Sequence, residues 1–251
     1  MPRIIDLSQP WGTKSAPFPS QTGPIISWEK RLAADRVNVQ KIISTLHVGT
    51  HLDAPLHFIS SGKDIEALDL NERLFGTGII ADISREVSDY SIITPDIVKA
   101  VSNVNRGDIL FIHTGYHRFS TYGSTPDEER YFCKHPGPTR EFVKWVLEMD
   151  FKLLGVDTSS MDHPMNTSIR RLRNDLAECA EQQLGTSLDE VFPDDAFQCM
   201  HRDLFPKEIV HVENLGGDIE QVLNKRCQIG VFPWRFRGGE AAMCRAVAFI
   251  E

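Results

Sequence analysis

The residues with chemistry in them crowd into one stretch, His47-Val48-Gly49-Thr50-His51-Leu52-Asp53-Ala54-Pro55-Leu56-His57-Phe58. Three of the chain's nine histidines fall within eleven residues here, with an aspartate among them. Imidazole and carboxylate are donor types that hold a divalent ion, and an ion so held activates water for attack on a carbonyl. Positions 47, 51, 53 and 57 are all odd, so on an extended chain they share one face. Gly49, Thr50 and Pro55 within seven residues argue against a helix, and so against the helical i, i+4 pairing of zinc-binding histidines. A straight strand sets His47 and His51 about 13 Å apart at roughly 3.3 Å per residue. Two imidazoles on one ion must each lie within about 2.1 Å of it. Either the chain bends at Gly49-Thr50 or two ions sit side by side. Burying three histidines and an aspartate without a cation would leave several polar groups needing partners at once.

More donors must come from elsewhere in the chain. His201-Arg202-Asp203 is one candidate, and Ile209-Val210-His211-Val212-Glu213-Asn214 is the other. In the second, alternation puts His211 and Glu213 on one face of a strand. A carboxylate amid Val and Ile is costly unless a cation compensates it. The competing reading of Glu213 is an edge-strand charge facing water.

The elements that position these groups are legible as short β-type runs at 25–28, 37–46, 78–83, 109–113, 152–156, 209–212, 229–232 and 244–250. Helices are expected after Thr94-Pro95-Asp96, after Pro138-Thr139 and after Gly216-Gly217-Asp218. A surface excursion at about 163–200 carries a further helix at 170–183. Strands and helices alternate unevenly, which predicts one α/β domain over 1–251 with a mixed sheet and flanking helices. No G-x-G-x-x-G or G-x-x-x-x-G-K-[ST] opens a helix, and no G-x-S-x-G surrounds Ser44, Ser159 or Ser160.

Composition narrows the partners. The chain has 251 residues, 27 Lys+Arg against 35 Asp+Glu, and a formal charge of −8. That balance argues against nucleic acid and anionic membranes, which reward clustered Lys and Arg. No apolar run approaches the roughly 20 residues of a spanning helix, and the N-terminus has no signal-peptide core. The five cysteines include no C-x-x-C pair, so free thiols in a reducing cytoplasm are expected.

With these residues in view, the chain resembles a known family. His47-x-Gly49-Thr50-His51-x-Asp53-x-Pro55-x-His57 is similar to the signature of the metal-dependent cyclase-like amidohydrolases, which include bacterial kynurenine formamidase and isatin hydrolase. Asp6-Leu7-Ser8 resembles that family's opening. Gly107-Asp108-Ile109-Leu110 with Thr114-Gly115-Tyr116, and Gly155-Val156-Asp157-Thr158 with Ser160-Met161-Asp162, resemble its two internal blocks. His201 and Glu213 followed by Asn214-Leu215 resemble its distal metal motif. At the C-terminal end, Gly239-Glu240-Ala241-Ala242-Met243-Cys244-Arg245 keeps only the frame of the family's acidic-Gly-Ser-Pro-x-Arg motif.

The resemblance implies that His47, His51, Asp53, His201 and Glu213 bind metal, with zinc in a two-metal site or manganese in a single-metal one. His57 would be the catalytic acid/base. The implied fold is a swivelling β/β/α domain, assembled as a homodimer or homotetramer. The expected reaction is hydrolysis of a C–N bond in a small amide, N-formyl arylamine or cyclic lactam or imide. Phe58, Tyr116 and Trp11 are the expected substrate-binding aromatics. Two other readings compete. His51, Asp53 and His201 formally make the two-histidine, one-carboxylate triad of a non-haem Fe(II) oxygenase, and the same residues would serve a non-catalytic metal-dependent binding protein.

Overall fold

The computed structural model describes residues 2–250. Its strands are β1 (Arg3–Asp6), β2 (Ile25–Lys30), β3 (Val39–Ile43), β4 (His51–Asp53), β5 (Phe75–Asp82) and β6 (Ile92–Ile93). They continue as β7 (Ile109–His113), β8 (Gly137–Pro138), β9 (Leu153–Val156), β10 (His211–Glu213), β11 (Arg226–Pro233) and β12 (Ala241–Ile250). The main sheet runs β1-β12-β11-β5-β7-β9-β10-β4, and a further β12–β4 pairing brings it back on itself as a ring. β5, β7, β9 and β10 are mutually parallel, and the remaining pairs of this sheet are antiparallel.

Closing the ring divides each strand's residues between two cores, as a period of two requires. Leu52, Ile80, Ile109, Phe111, Leu153, Val212, Ile229 and Ala246 fill one. Ile79, Ala81, Leu110, Ile112, Leu154 and Val156 face the other way, under Phe142, Val143, Trp145 and Val146 of the helix Arg140–Met149. Gly155 makes room for the Phe111 ring, since a Cβ there would lie 2.5 Å from it. Burying Phe111 fully contributes about 1.5–3 kcal/mol. The mixed sheet with flanking helices is the expected architecture.

Local expectations met different fates. The run at 37–46 is a strand only over Val39–Ile43, because the segment beyond it turns toward the site. The run at 209–212 pairs as His211–Glu213. β1 and β4 went unread as strands, being only four and three residues long. The expected helix at 170–183 is two, Ile169–Leu172 and Asn174–Leu184. Arg173 leaves helical geometry between them and pairs with both Glu129 and Asp175. The segment from 163 is more than a surface excursion. Met165, Ile169, Leu176, Ala180, Leu188 and Phe192 are buried in a third cluster with Tyr116, Phe119, Tyr131 and Phe132. β2 and β3 pair only with each other and leave Ile25, Trp28, Ile42 and Ile43 exposed.

Candidate metal centre

The register of β4 against β10 creates the site. Asp53 stands opposite His211 and His51 opposite Glu213, with Leu52 and Val212 between them turned into the ring's core. Side chains directly opposite on antiparallel strands have Cβ atoms about 4.5–5.5 Å apart, so four donors share one patch before any loop contributes. His47 reaches them because the chain bends where the sequence allows it. Gly49 is left-handed at φ 65°, a conformation that favours glycine. A Cβ at Gly49 would also lie 2.8 Å from the Trp11 ring. His47 Nδ1 ends 3.1 Å from His51 Nε2 rather than a strand's length away. His201 arrives from the helix Cys199–Leu204, and His57 from the single turn Pro55–His57.

Hydrogen bonds at the far ring nitrogens fix where the lone pairs point. A carbonyl or carboxylate oxygen only accepts, so the nitrogen beside it must donate. His51 Nδ1–H donates to the Gly49 carbonyl at 2.9 Å, His47 Nε2–H to Glu240 at 2.8 Å and His201 Nδ1–H to Asp162 at 2.5 Å. With the rings neutral, their other nitrogens face inward as acceptors, the orientation that outer partners give to metal-binding histidines. His47 Nδ1 and His51 Nε2 lie 3.1 and 3.3 Å from Asp53 Oδ1. His201 Nε2 and His211 Nε2 lie 3.5 and 3.6 Å from Asp53 Oδ2, and each is 3.6 Å from Glu213 Oε1.

Asp53 is fully buried, yet neither of its oxygens has a hydrogen-bond donor among the described residues. A buried carboxylate with no donor, ringed by nitrogen lone pairs, is stable only with positive charge among them. Without a metal, protons must supply that charge. Burial alone would push the His47 imidazole down, but Asp53 and Glu240 overcome it and carry it up to about 11. Burial likewise opposes His201, which Asp162 and Asp53 carry up to about 10. His211, where burial and the neighbouring His201 prevail, is pushed down. A divalent ion meets the same demand with the imidazoles neutral, and the donor set of imidazole nitrogens and carboxylate oxygens suits one. Donors of Asp53, His201, His211 and Glu213 lie within 4.8 Å of one another, as do donors of His47, Asp53 and His57.

His57 stands at the mouth, about a quarter exposed, its ring 4.2 Å from that of His47. Its Nδ1 lies 2.9 Å from Glu240 Oε2, so one carboxylate pairs with both rings. Burial works against the Glu240 charge, but the two histidines hold its pKa down to about 2. A cavity of about 330 Å³ opens onto His47, Asp53, His57, His201 and Glu213, with Phe18, Ser20, Gln21, Phe58, Ser159 and Gln198 in its wall.

All five expected ligands and His57 thus meet in one place, and Phe58 lines the same cavity. Tyr116 and Trp11 do not. The Tyr116 hydroxyl is spent on Asp89 inside the third apolar cluster. Trp11 donates to the Val48 carbonyl at 3.1 Å and lines a separate cavity of about 510 Å³ that holds none of these donors. Three functional positions escaped assignment from sequence. His211 carried a signal, its alternation with Glu213. Glu240 and Asp162 lie in the matched blocks, but spacing alone gave no reason to join them to His47, His57 or His201.

The chain is similar to known proteins in sequence and in fold. Kynurenine formamidase of Bacillus thuringiensis subsp. konkukian is 41% identical over 163 residues, covering 63% of this chain and 69% of that protein. Its Bordetella avium namesake is 25% identical over 163 residues, covering 64% and 72%. Among solved structures, isatin hydrolase A from Ralstonia solanacearum superposes with a TM-score of 0.75 at 20% identity, over 100% of this chain and 92% of that one. A family model described as a putative cyclase matches residues 5–163, which span the first histidine motif and both internal blocks. The chain belongs to this cyclase family.

Proposed function

We propose that this chain is a divalent-metal-dependent hydrolase that cleaves the C–N bond of a small amide, most readily an N-formyl arylamine or a cyclic lactam or imide. The observation that carries the reading is Asp53, whose two buried oxygens lack donors and each face imidazole lone pairs. In this reading His47, His51, Asp53, His201 and Glu213 are ligands, and His211 completes the inner side. The two-sided arrangement around Asp53 favours a zinc pair over a single manganese. When bound, the ion supplies Lewis acidity toward the amide carbonyl and lowers the pKa of water.

The chain's own groups do the rest. His57, fixed through Nδ1 on Glu240, leaves Nε2 to take a proton from water and return it to the leaving nitrogen. Phe58 and Phe18 give the cavity apolar walls against which an aryl group can pack. The name kynurenine formamidase carried by the relatives supports a formyl amide. An Fe(II) oxygenase built on His51, Asp53 and His201 would need open positions, whereas His47, His211 and Glu213 crowd the same space. Screening the zinc- and manganese-loaded protein against formyl-anilides, isatin-like lactams and cyclic imides tests the reading. Hydrolysis of one class supports it, and inertness toward all of them with oxygen consumed instead sinks it.

A homodimer or homotetramer is part of the same proposal. The β2–β3 hairpin exposes Ile25, Trp28, Leu32, Ile42 and Ile43, an apolar area of the kind that marks an interaction surface. The segment before it, Phe18–Gln21, borders the catalytic cavity. The five free thiols suit a reducing cytoplasm. No helix among the described residues is long and apolar enough to cross a membrane.

A further inference from the structure

The C-terminal ends of β5, β7 and β9 carry a second cluster that the hydrolytic reading does not use. Register places Asp82 beside His113 at the ends of β5 and β7, and Asp157 directly follows β9. His117 stands in the turn Tyr116–Phe119. In parallel sheets, ligands bind beyond these strand ends. His113 is buried, and its Nδ1–H donates to Asp82 at 2.8 Å. Nε2 is therefore an acceptor, it is buried, and no group among the described residues bonds to it.

That nitrogen faces Asp157 Oδ2 at 3.9 Å. A carboxylate accepts about four hydrogen bonds. Thr114 N–H, Thr114 Oγ1 and Gly115 N–H fill three on Asp157 at 2.8, 2.6 and 2.8 Å. The remaining direction, which the His117 backbone N–H approaches only at 3.5 Å, looks toward His117 Nδ1 at 3.0 Å and His113 Nε2. A separation of 3.9 Å is too long for a hydrogen bond. It does suit two donors of one ion, which with bonds of about 2.1 Å stand at most about 4.2 Å apart. One donor atom each from His113, His117 and Asp157 lies within 4.8 Å of the others, so small side-chain rotations bring all three onto one ion.

The geometry points to a second cation site here, distinct from the Asp53 centre, that takes a zinc-like divalent ion through His113, His117 and Asp157. Two imidazoles and a carboxylate select a zinc-like ion over magnesium or calcium, which prefer all-oxygen shells. His117 borders a cavity of about 470 Å³ that provides an entry path. Glu220 Oε1, on that cavity's rim, is 3.9 Å from His117 Nε2, the ring nitrogen turned away from Asp157, and adds negative charge beside the site. The ion would tie the turn at 114–117 to the ends of three strands.

The test is zinc stoichiometry on the chelator-stripped full chain, by calorimetry and elemental analysis. Wild type should take up one equivalent more than His117→Gln, and Asp53→Asn should retain that equivalent. Cobalt(II) in Asp53→Asn should show visible bands of a low-coordinate nitrogen–oxygen site that disappear in the double variant. Glu220→Lys changes an exposed side chain and guards against misfolding of the imidazole variant; it should weaken the extra equivalent about ten-fold or more. Equal stoichiometry in wild type and His117→Gln, or zinc uptake unaltered by Glu220→Lys, overturns the proposal. Because Asp53→Asn disables only the hydrolytic centre, failure here and failure of the hydrolase reading give different patterns.

Discussion

At the β4–β10 pair, four imidazoles and two carboxylates come from three separate stretches of chain. Three of those imidazoles are held by hydrogen bonds at the far nitrogen, so that their lone pairs converge. At the ends of β5, β7 and β9 the residue types are the same, but Asp157 gives most of its acceptor capacity to the backbone and hydroxyl of the turn at 114–115. Asp53 receives no N–H or O–H from the described residues. Two aspartates buried to the same degree thus divide their oxygens differently. Asp157 spends three acceptor directions on a turn and keeps one side toward His113 and His117, whereas Asp53 keeps both oxygens free for a cation. Unspent lone pairs, more than residue type, distinguish the reactive centre.

The sharpest way to break this contrast is to neutralise each aspartate. Asp53→Asn should lower kcat/KM by about 10³-fold or more, some 4 kcal/mol of transition-state stabilisation, and metal content should fall with it. Asp157→Asn should leave kcat per folded molecule within a few-fold and instead cost about 2–3 kcal/mol of stability, read in urea unfolding. If Asp157→Asn cost activity and Asp53→Asn cost only stability, the assignment would be inverted.

His57→Ala comes next, with kcat lower by about 10²–10⁴-fold and metal content unchanged. Loss of metal along with activity would make His57 a ligand instead. Asp162→Asn, which loosens the grip on His201, should weaken metal affinity about 10–100-fold.

A pH series separates protons from metal. In the metal-free protein His47 and His201 titrate at about 11 and 10, above the ordinary value near 6.5. Folded values that are raised contribute stability that is full below pH 6.5 and is lost as pH climbs through 10 to 11. The melting temperature of stripped protein should therefore fall between pH 7 and 10 more steeply than that of metal-loaded protein. Parallel curves would mean that the ion does not replace those protons. The smallest effect belongs to Tyr116→Phe. It removes the hydrogen bond to Asp89, for about 1 kcal/mol of stability, and should leave KM unchanged. A raised KM would return Tyr116 to the substrate.

The contrast between the two clusters also marks what the sequence could and could not reveal. His47, His51, Asp53 and His57 were legible because chemistry-bearing residues at odd positions around a glycine have few other uses. Reach alone left two options, a bend at Gly49-Thr50 or two ions side by side, and the chain takes the bend. His211 was half legible, since alternation placed it beside Glu213 but nothing in spacing said that β10 would pair with β4. That pairing, of three residues on each side, is a long-range event with almost no local signature. Of the three expected aromatics Phe58 lines the cavity, whereas Tyr116 and Trp11 lie elsewhere for a related reason. Tyr116 and Trp11 lie close in sequence to matched motifs, but a side chain's direction depends on the packing around it, and theirs point into a core cluster and a neighbouring cavity. Glu240 and Asp162 work by orienting other side chains, a role visible only once distances exist.

The most direct measurement is amide-hydrolase activity of the full chain before chelation, after it, and after zinc or manganese is restored, with metal content followed throughout. The account predicts that activity falls with metal content, returns on reloading in wild type, and does not return in Asp53→Asn. Full activity in wild-type protein freed of metal would contradict it.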